Sequence, residues 1–179
     1  MGAAQELQNV IEAATLLRDL PEVQFVFIGD GVDRDTLYQM VRERKLENVR
    51  FLGRQPAPEM PRFYALADVL LVHLKRDPLF EITIPSKTLA YLACGRPILG
   101  VVSGDPADVI RNAGAGVICP QENPTALART VRELYAMPAE QRESLGQAGR
   151  RAFLANYTRQ VLVDRYAELL EKIARQNRR

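Results

Sequence analysis

The chain has 179 residues, a length that fits one domain or one half of a two-domain enzyme. Hydrophobic residues make up 47% of it, enough to form a core, which excludes a disordered chain. Its 24 basic and 22 acidic side chains leave a formal net charge of +2, so composition does not indicate a nucleic-acid-binding protein.

Helix-type and strand-type hydrophobic periods alternate along the chain. Apolar residues at helical spacing predict a first helix over residues 4–20, and continuous apolar runs predict strands that are buried on both faces. The predicted strands cover residues 23–28, 48–53, 69–74, 97–102 and 115–120. The later predicted helices cover residues 35–45, 58–67, 86–94, 105–112, 125–136, 139–156 and 159–176, and an irregular stretch covers residues 75–84.

This alternation predicts a Rossmann-like α/β fold, with a doubly wound parallel sheet between two layers of helices. No linker or repeat divides residues 1–179, so we expect a single domain. The chain begins on a helix, whereas a doubly wound sheet normally has a strand first. We therefore expect a fragment of a larger protein that lacks this strand and a partner domain.

Few side chains suit redox or metal chemistry. Cys94 and Cys119 stand in apolar surroundings without metal-ligand spacing, so we expect reduced, buried thiols in a cytoplasmic protein. His73 is the single histidine, which argues against a zinc cluster or a Ser-His-Asp triad. No apolar run approaches the length of a membrane span, and no signal-peptide pattern follows Met1.

Four predicted loops are candidates for ligand binding, because ligands of open α/β sheets bind at the carboxyl ends of the strands. These loops contain Gly2 with Ala3, residues 29–33, residues 53–55 and residues 75–87. The turn with Gly29 and Gly31 matches a dinucleotide fingerprint only in part, since Arg34 stands where a third glycine is expected. This turn can therefore be interpreted either as a tight strand-to-helix turn or as a loop that lines a ligand site.

The start of the predicted helix over residues 86–94 is the most specific feature. Pro85 fits a turn into a helix, and Ser86 can cap the first amide groups or leave them free. Free amides beside the ammonium of Lys87 would form a phosphate site, whereas the alternative is a capped helix with a solvated lysine. Glu81, in the preceding loop, is either an exposed carboxylate or an acceptor for sugar hydroxyls.

Four segments in this order resemble the C-terminal domain of retaining glycosyltransferases of the group 1 family, which have the GT-B fold. They are "FVFIGDG", "NVRFLGRQP", "IPSKTLAYLACGRPIL" and "AGVICPQENPTALARTVREL". The resemblance extends over essentially the whole chain. The segment "PLFEITIPSKT" looks most similar to the branch that includes N-acetyl-L-fucosamine transferases, which act on lipid-linked polysaccharide precursors.

The resemblance implies a nucleotide-diphosphate sugar, with uridine as the base, as donor substrate, and neither a cofactor nor a metal. It places Gly2 near the diphosphate, and Arg54 and Gln55 after the strand whose loop faces the base. The candidate catalytic residues are then Lys87 and Glu81, and the candidate substrate-binding residues are Gly2, Gly29, Gly31, Arg54, Gln55, Pro85, Ser86 and Thr88.

The resemblance also implies a partner domain that holds a lipid-linked or glycan acceptor, so we expect the isolated chain to be inactive. We expect this protein to be cytoplasmic and to contact the inner face of the plasma membrane through that domain. The last helix would pack against the same domain, so we expect the chain end, residues 175–179, to be poorly ordered or held by a neighbouring molecule.

Two departures from the family pattern keep alternatives open. The second of two family glutamates falls on Ala90, and the first falls on Ile82, next to Glu81. The basic residues that often follow the first glycine loop are missing, and Gln5 stands there instead. A catalytically idle nucleotide-binding module and half of a sugar-nucleotide 2-epimerase remain alternatives, although a single histidine gives the epimerase little support. A dehydrogenase lacks the full fingerprint.

Overall fold

The computed structural model describes residues 1–176. Its strands are all parallel and form a two-stranded sheet, β1–β2, and a three-stranded sheet, β3–β4–β5. The strands are β1 (Phe25–Ile28), β2 (Val49–Leu52), β3 (Leu70–His73), β4 (Ile98–Val101) and β5 (Gly116–Cys119). Phe25 is opposite Val49 in the first sheet, and Ile98 is opposite both Leu70 and Gly116 in the second. The predicted parallel α/β fold is confirmed.

Helices connect successive strands, because parallel neighbours need a crossover connection. They are α1 (Gln8–Thr15), α2 (Arg34–Glu43), α3 (Met60–Leu66), α4 (Pro78–Glu81), α5 (Ser86–Cys94), α6 (Asp105–Asn112), α7 (Pro124–Ala136), α8 (Ala139–Asn156) and α9 (Arg159–Gln176). Short 3₁₀ turns at Ala3–Gln5 and Ala57–Glu59 precede α1 and α3.

The prediction of one helix over residues 4–20 is wrong in extent. A 3₁₀ turn comes first and α1 begins only at Gln8, because Glu6 between them adopts a left-handed conformation with φ of 41°. The prediction that residues 75–84 are irregular also missed α4. The side chain of Asp77 accepts a hydrogen bond from the Leu79 amide at 2.9 Å, and Pro78 provides a first helical residue that needs no amide donor.

Helices cover both faces of the strands, which gives three layers. Because side chains alternate along a strand, Leu99 and Val101 of β4 lie in one core with α1, α2 and α7, whereas Ile98 lies in a second core with α5 and α6. Both cores contain fully buried aliphatic side chains. The largest of these include Ile11, Leu17, Leu37, Leu92, Ile98, Ile110 and Leu127.

The last helix, α9, has no buried residue, and its apolar side chains Leu162, Tyr166 and Leu169 are about half exposed. Arg175 and Gln176 are still helical, whereas residues 177–179 lie outside the described residues, and the expectation for the chain end falls mostly on them. Among residues 1–176, no helix is both long enough and apolar enough to cross a membrane.

Candidate functional site

The start of α5 lies at the end of the loop that follows β3, at the carboxyl edge of the strands. Pro85 is its N-cap residue, with extended dihedral angles of φ −63° and ψ 138°, and its carbonyl accepts the Thr88 amide at 2.9 Å. Within residues 1–176 no side chain caps this helix. Ser86 is exposed and is the first helical residue, so the first amides of α5 are not satisfied by a protein side chain.

Lys87 adds a positive charge to this helix start. Its side chain as a whole is exposed, but neighbouring atoms partly desolvate the ammonium, and this lowers its pKa. The ammonium and the helix dipole therefore both place positive charge at the start of α5.

The Met1–Ala4 segment connects the carboxyl ends of the two sheets. The Met1 carbonyl accepts the Asp33 amide at 3.3 Å, beyond the end of β1, and the Ala4 carbonyl accepts the Lys75 amide at 3.0 Å, beyond the end of β3. Gly2 lies between these contacts in an extended conformation, with φ −116° and ψ 158°. The segment therefore brings Gly2, the loop after β1 and the loop after β3 to one edge.

The turn after β1 uses its glycines for conformations that other residues avoid. Gly29 has φ of 120° and Gly31 has φ of 152°. A β-carbon at Gly31 would stand 2.1 Å from the Met1 carbonyl oxygen, so only glycine lets the Met1 segment approach so closely. Two predicted site residues, Gly2 and Gly31, are thus brought together in space.

Arg54 and Gln55 lie on the neighbouring loop. The Gly29 amide donates to the Leu52 carbonyl at 3.1 Å, so the end of β2 is next to the turn after β1. Arg54 is exposed, and the Gln55 amide reaches only the Gly53 carbonyl, at 3.4 Å. These two residues border the edge, and within residues 1–176 no hydrogen bond or ion pair joins either of them to Lys87.

Glu81 is the last residue of α4 and is exposed. One of its carboxylate oxygens lies 3.3 Å from the hydroxyl oxygen of Ser103, which follows β4. The same hydroxyl donates to Oε1 of Gln121, after β5, at 2.9 Å. Ser103 and Gln121 were not identified as candidates from the sequence. Each stands two positions after a strand, at the carboxyl ends where ligands of open α/β sheets bind.

Thr88 and His73 are buried beneath the carboxyl edge of the strands. Thr88 is fully buried and its hydroxyl has no protein partner in the described part of the chain. His73 is also buried, and its Nε2 lies 2.8 Å from the Nδ2 amide of Asn9, which donates to it. Burial lowers the pKa of His73 to about 4, so its ring is neutral near pH 7 and helps to join α1 to the end of β3.

The thiols and acidic residues show no sign of metal chemistry within residues 1–176. Cys119 is buried and Cys94 is half-buried, both are unpaired, and burial raises the pKa of each thiol. Those residues include no group of three or more His, Cys, Asp and Glu side chains placed to hold a metal ion. That the protein needs neither metal nor cofactor stays a prediction.

Several curated relatives match most of the chain. It is 30% identical over 169 residues to the probable glycosyltransferase WbjE of Pseudomonas aeruginosa, covering 93% of this chain and 41% of that protein. It is 29% identical to the putative colanic acid biosynthesis glycosyl transferase WcaI of Escherichia coli K12, covering 92% and 40%. The chain thus spans less than half the length of these relatives.

Solved structures share the fold. HepE of Anabaena, in a complex with UDP, superimposes with a TM-score of 0.81 at 16% identity, covering 94% of this chain and 45% of HepE. The C-terminal domain of the group 1 family protein LpcC from Francisella tularensis superimposes with a TM-score of 0.72 at 20% identity, covering 89% and 84%. The arrangement of strands and helices is therefore that of the C-terminal, Rossmann-like half of a GT-B glycosyltransferase.

The sequence model of the family described as "Glycosyl transferases group 1" matches residues 2–152. This match covers the strands β1–β5, every loop at their carboxyl edge and the whole of α5. The chain therefore belongs to the group 1 glycosyltransferase family.

Proposed function

We propose that this chain is the donor-binding half of a glycosyltransferase that uses a uridine-diphosphate sugar. The observation that carries the proposal is that the uncapped start of α5, with Lys87, lies at the same carboxyl edge of the strands as Gly2 and Gly31. Backbone amides, a helix dipole and an ammonium converge there, and together they suit a diphosphate. The presence of UDP in the HepE complex supports this choice of nucleotide.

The same groups would assist the chemical step. When the sugar leaves, negative charge increases on the diphosphate. Lys87 and the amides at the start of α5 would stabilise this charge, because the helix already directs its first amides and its dipole to this edge before the reaction begins. The partial desolvation of the Lys87 ammonium strengthens its attraction to an anion compared with a lysine in open water. Glu81 would accept hydrogen bonds from hydroxyls of the donor sugar.

The acceptor and the stereochemistry are part of the proposal. We propose a lipid-linked or polysaccharide acceptor in cell-surface glycan synthesis, and the names of WcaI and of LpsE, a lipopolysaccharide core enzyme of Rhizobium meliloti, support it. We propose retention of the anomeric configuration and a place in the N-acetyl-L-fucosamine transferase branch. Proton NMR of the product made by the longer protein would give its anomeric configuration, and an inverted product would contradict the proposal.

A partner domain would complete the enzyme. Because the chain spans less than half of its relatives, we propose that the longer protein adds an acceptor-binding domain and one strand between β1 and β3. The contacts of Met1 with the loop after β1, and of Ala4 with Lys75 after β3, support a strand that enters between the two sheets. The longer protein would act in the cytoplasm, at the inner face of the membrane.

Sugar transfer tests the need for that domain. The isolated chain should transfer no radiolabelled sugar, whereas the longer protein should transfer it under the same conditions. Transfer by the isolated chain at a comparable rate would overturn this part of the proposal without affecting donor binding.

Calorimetry tests donor binding itself. UDP should bind the isolated chain at least about tenfold more tightly than uridine, because charge-assisted hydrogen bonds to the diphosphate contribute about 1.5–3 kcal/mol each. Equal affinity for UDP and uridine would contradict a diphosphate site. An idle nucleotide-binding module would bind UDP equally well, but a longer protein with this domain intact would then transfer no sugar.

A further inference from the structure

The loops after β3, β4 and β5 are connected by one buried amide side chain. Gln121 follows β5, is buried, and its Nε2 donates to the carbonyl oxygens of Leu74 and Lys75, both at 2.9 Å. These two donor contacts fix the orientation of the amide, because they use both of its protons. Oε1 must then face away from β3, toward the Ser103 hydroxyl 2.9 Å away.

Ser103 extends this connection to Glu81. Its hydroxyl has a single proton but two acceptors within reach, Gln121 Oε1 at 2.9 Å and Glu81 Oε1 at 3.3 Å. The two acceptors share this proton, and the contact to Gln121 is the shorter of the two. One oxygen of the Glu81 carboxylate thus accepts a hydrogen bond from Ser103, while the remaining lone pairs of the carboxylate are available for a further donor such as a sugar hydroxyl.

A close backbone approach between Gly104 and Glu81 also restricts the position of Glu81. Gly104, the N-cap residue of α6, has φ of 63°, and a β-carbon there would stand 2.2 Å from the Glu81 carbonyl oxygen. Only glycine tolerates both the left-handed conformation and this contact. The end of α4 is thus pressed against the start of α6, which limits where the Glu81 side chain can lie.

We propose that Ser103 and Gln121 are positioning residues that hold Glu81 in place and thereby determine which donor sugar the site accepts. This inference rests on the proposed function, because it takes Glu81 to contact the sugar. Gln121 holds the start of the loop after β3, and Ser103 holds the carboxylate near the loop's middle. Neither side chain needs to touch the substrate itself.

The first experiment measures anchoring without any ligand. Hydrogen exchange of the backbone amides of residues 76–84 should be about tenfold faster in Gln121→Ala, because two hydrogen bonds to that loop are lost. The matched control is Gln147→Ala, on the exposed face of α8, which should leave these amides unchanged. Unchanged exchange in Gln121→Ala would overturn the anchoring.

The second experiment measures sugar selection. Dissociation constants for UDP, UDP-glucose, UDP-galactose and UDP-N-acetylglucosamine give, for each variant, the ratio of sugar-nucleotide to UDP affinity. Ser103→Ala should change this ratio about fivefold in the same direction as Glu81→Ala, with UDP affinity within twofold of the unmodified chain. Ser103→Thr should restore the ratio because it keeps the hydroxyl, and Ser144→Ala, on α8, is the matched control.

The outcomes separate the two proposals. If UDP fails to bind the unmodified chain, the proposed function is wrong and so is the role in sugar selection. If UDP binds and Glu81→Ala changes the ratios while Ser103→Ala and Gln121→Ala do not, the positioning role is wrong and donor binding stands. If Glu81→Ala leaves all three ratios unchanged, Glu81 does not contact the sugar and the inference is overturned.

Discussion

Gly146 of α8 lies so close to Gly95, the residue that ends α5, that a β-carbon at Gly146 would stand 2.2 Å from the Gly95 carbonyl oxygen. Gly95 has φ of 69°, the left-handed conformation that commonly ends a helix. Nearby, the Arg150 guanidinium donates to the Ala93 carbonyl, which places a positive charge at the negative end of the helix dipole. α8 thus fixes the far end of the helix whose first turn carries Lys87.

A methyl group at Gly146 should disturb this contact. We expect Gly146→Ala to lower the free energy of unfolding by about 1–3 kcal/mol, because backbone atoms of α5 would have to move. Urea denaturation measures the change. Gly53→Ala is the control: nothing lies within 4 Å of a β-carbon there, so stability should stay within about 0.5 kcal/mol. Equal stability of Gly146→Ala and the unmodified chain would show that α5 and α8 do not depend on this approach.

Glycine and proline explain why much of the fold could be predicted. α5 was predicted to the residue because Pro85 precedes it and Gly95 ends it, and both residues restrict the backbone locally. The break before α1 could not be predicted, since Glu6 takes a left-handed conformation without the glycine that usually signals one. A helix end can thus be predicted from sequence when a proline or glycine at that position restricts or permits the backbone conformation, and not when another residue adopts it.

The positions of candidate site residues could be predicted only where a strand end determines them. Gly31 lies in the loop after β1 and Lys87 at the end of the loop after β3, and parallel strands present their carboxyl ends at one edge of a sheet. The connection from Gln121 to Leu74 could not be predicted, because it joins residues 47 positions apart through a side chain that has no sequence signature. Such contacts depend on how loops pack against each other, which hydrophobic periodicity does not encode.

His73 should make stability depend on pH. The pKa of His73 in the folded chain, about 4, is lower than its ordinary value of 6.5. As pH falls, the imidazole of the unfolded chain is therefore protonated before that of the folded chain. The stabilisation from the neutral ring is fully present above about pH 6.5 and is lost as pH falls toward 4. Between pH 7 and 4.5 the free energy of unfolding should fall by about 2 kcal/mol more than in His73→Gln. Urea denaturation at both pH values measures this, and identical pH profiles would contradict a buried neutral histidine.

Lys87→Ala should weaken UDP binding about tenfold or more, since it removes one charge-assisted contact to the diphosphate. If the contact strengthens as the sugar leaves, sugar transfer by the longer protein should fall by a larger factor than binding does. Lys172→Ala, an exposed lysine on α9, is the matched control and should bind UDP as the unmodified chain does. Unweakened binding by Lys87→Ala would mean that Lys87 is an ordinary solvated lysine at a helix start.

Glu81→Ala should behave differently from Lys87→Ala. Because Glu81 is proposed to contact the sugar, its loss should alter the order of preference among UDP sugars and leave the affinity for UDP itself within about twofold. Competition binding of UDP sugars against UDP gives both quantities for the same variant. A tenfold loss of UDP affinity in Glu81→Ala would place this carboxylate at the nucleotide instead of the sugar.

The location of the diphosphate is the central claim, and NMR titration of the isotope-labelled chain with UDP tests it most directly. The largest amide shift changes should fall on Ser86 and Lys87 at the start of α5, on Gly2, and on the turn from Gly29 to Gly31. In Lys87→Ala the same amides should shift, but at roughly tenfold higher UDP concentration. Shift changes confined to other parts of the chain, with the start of α5 unaffected at saturation, would contradict the account.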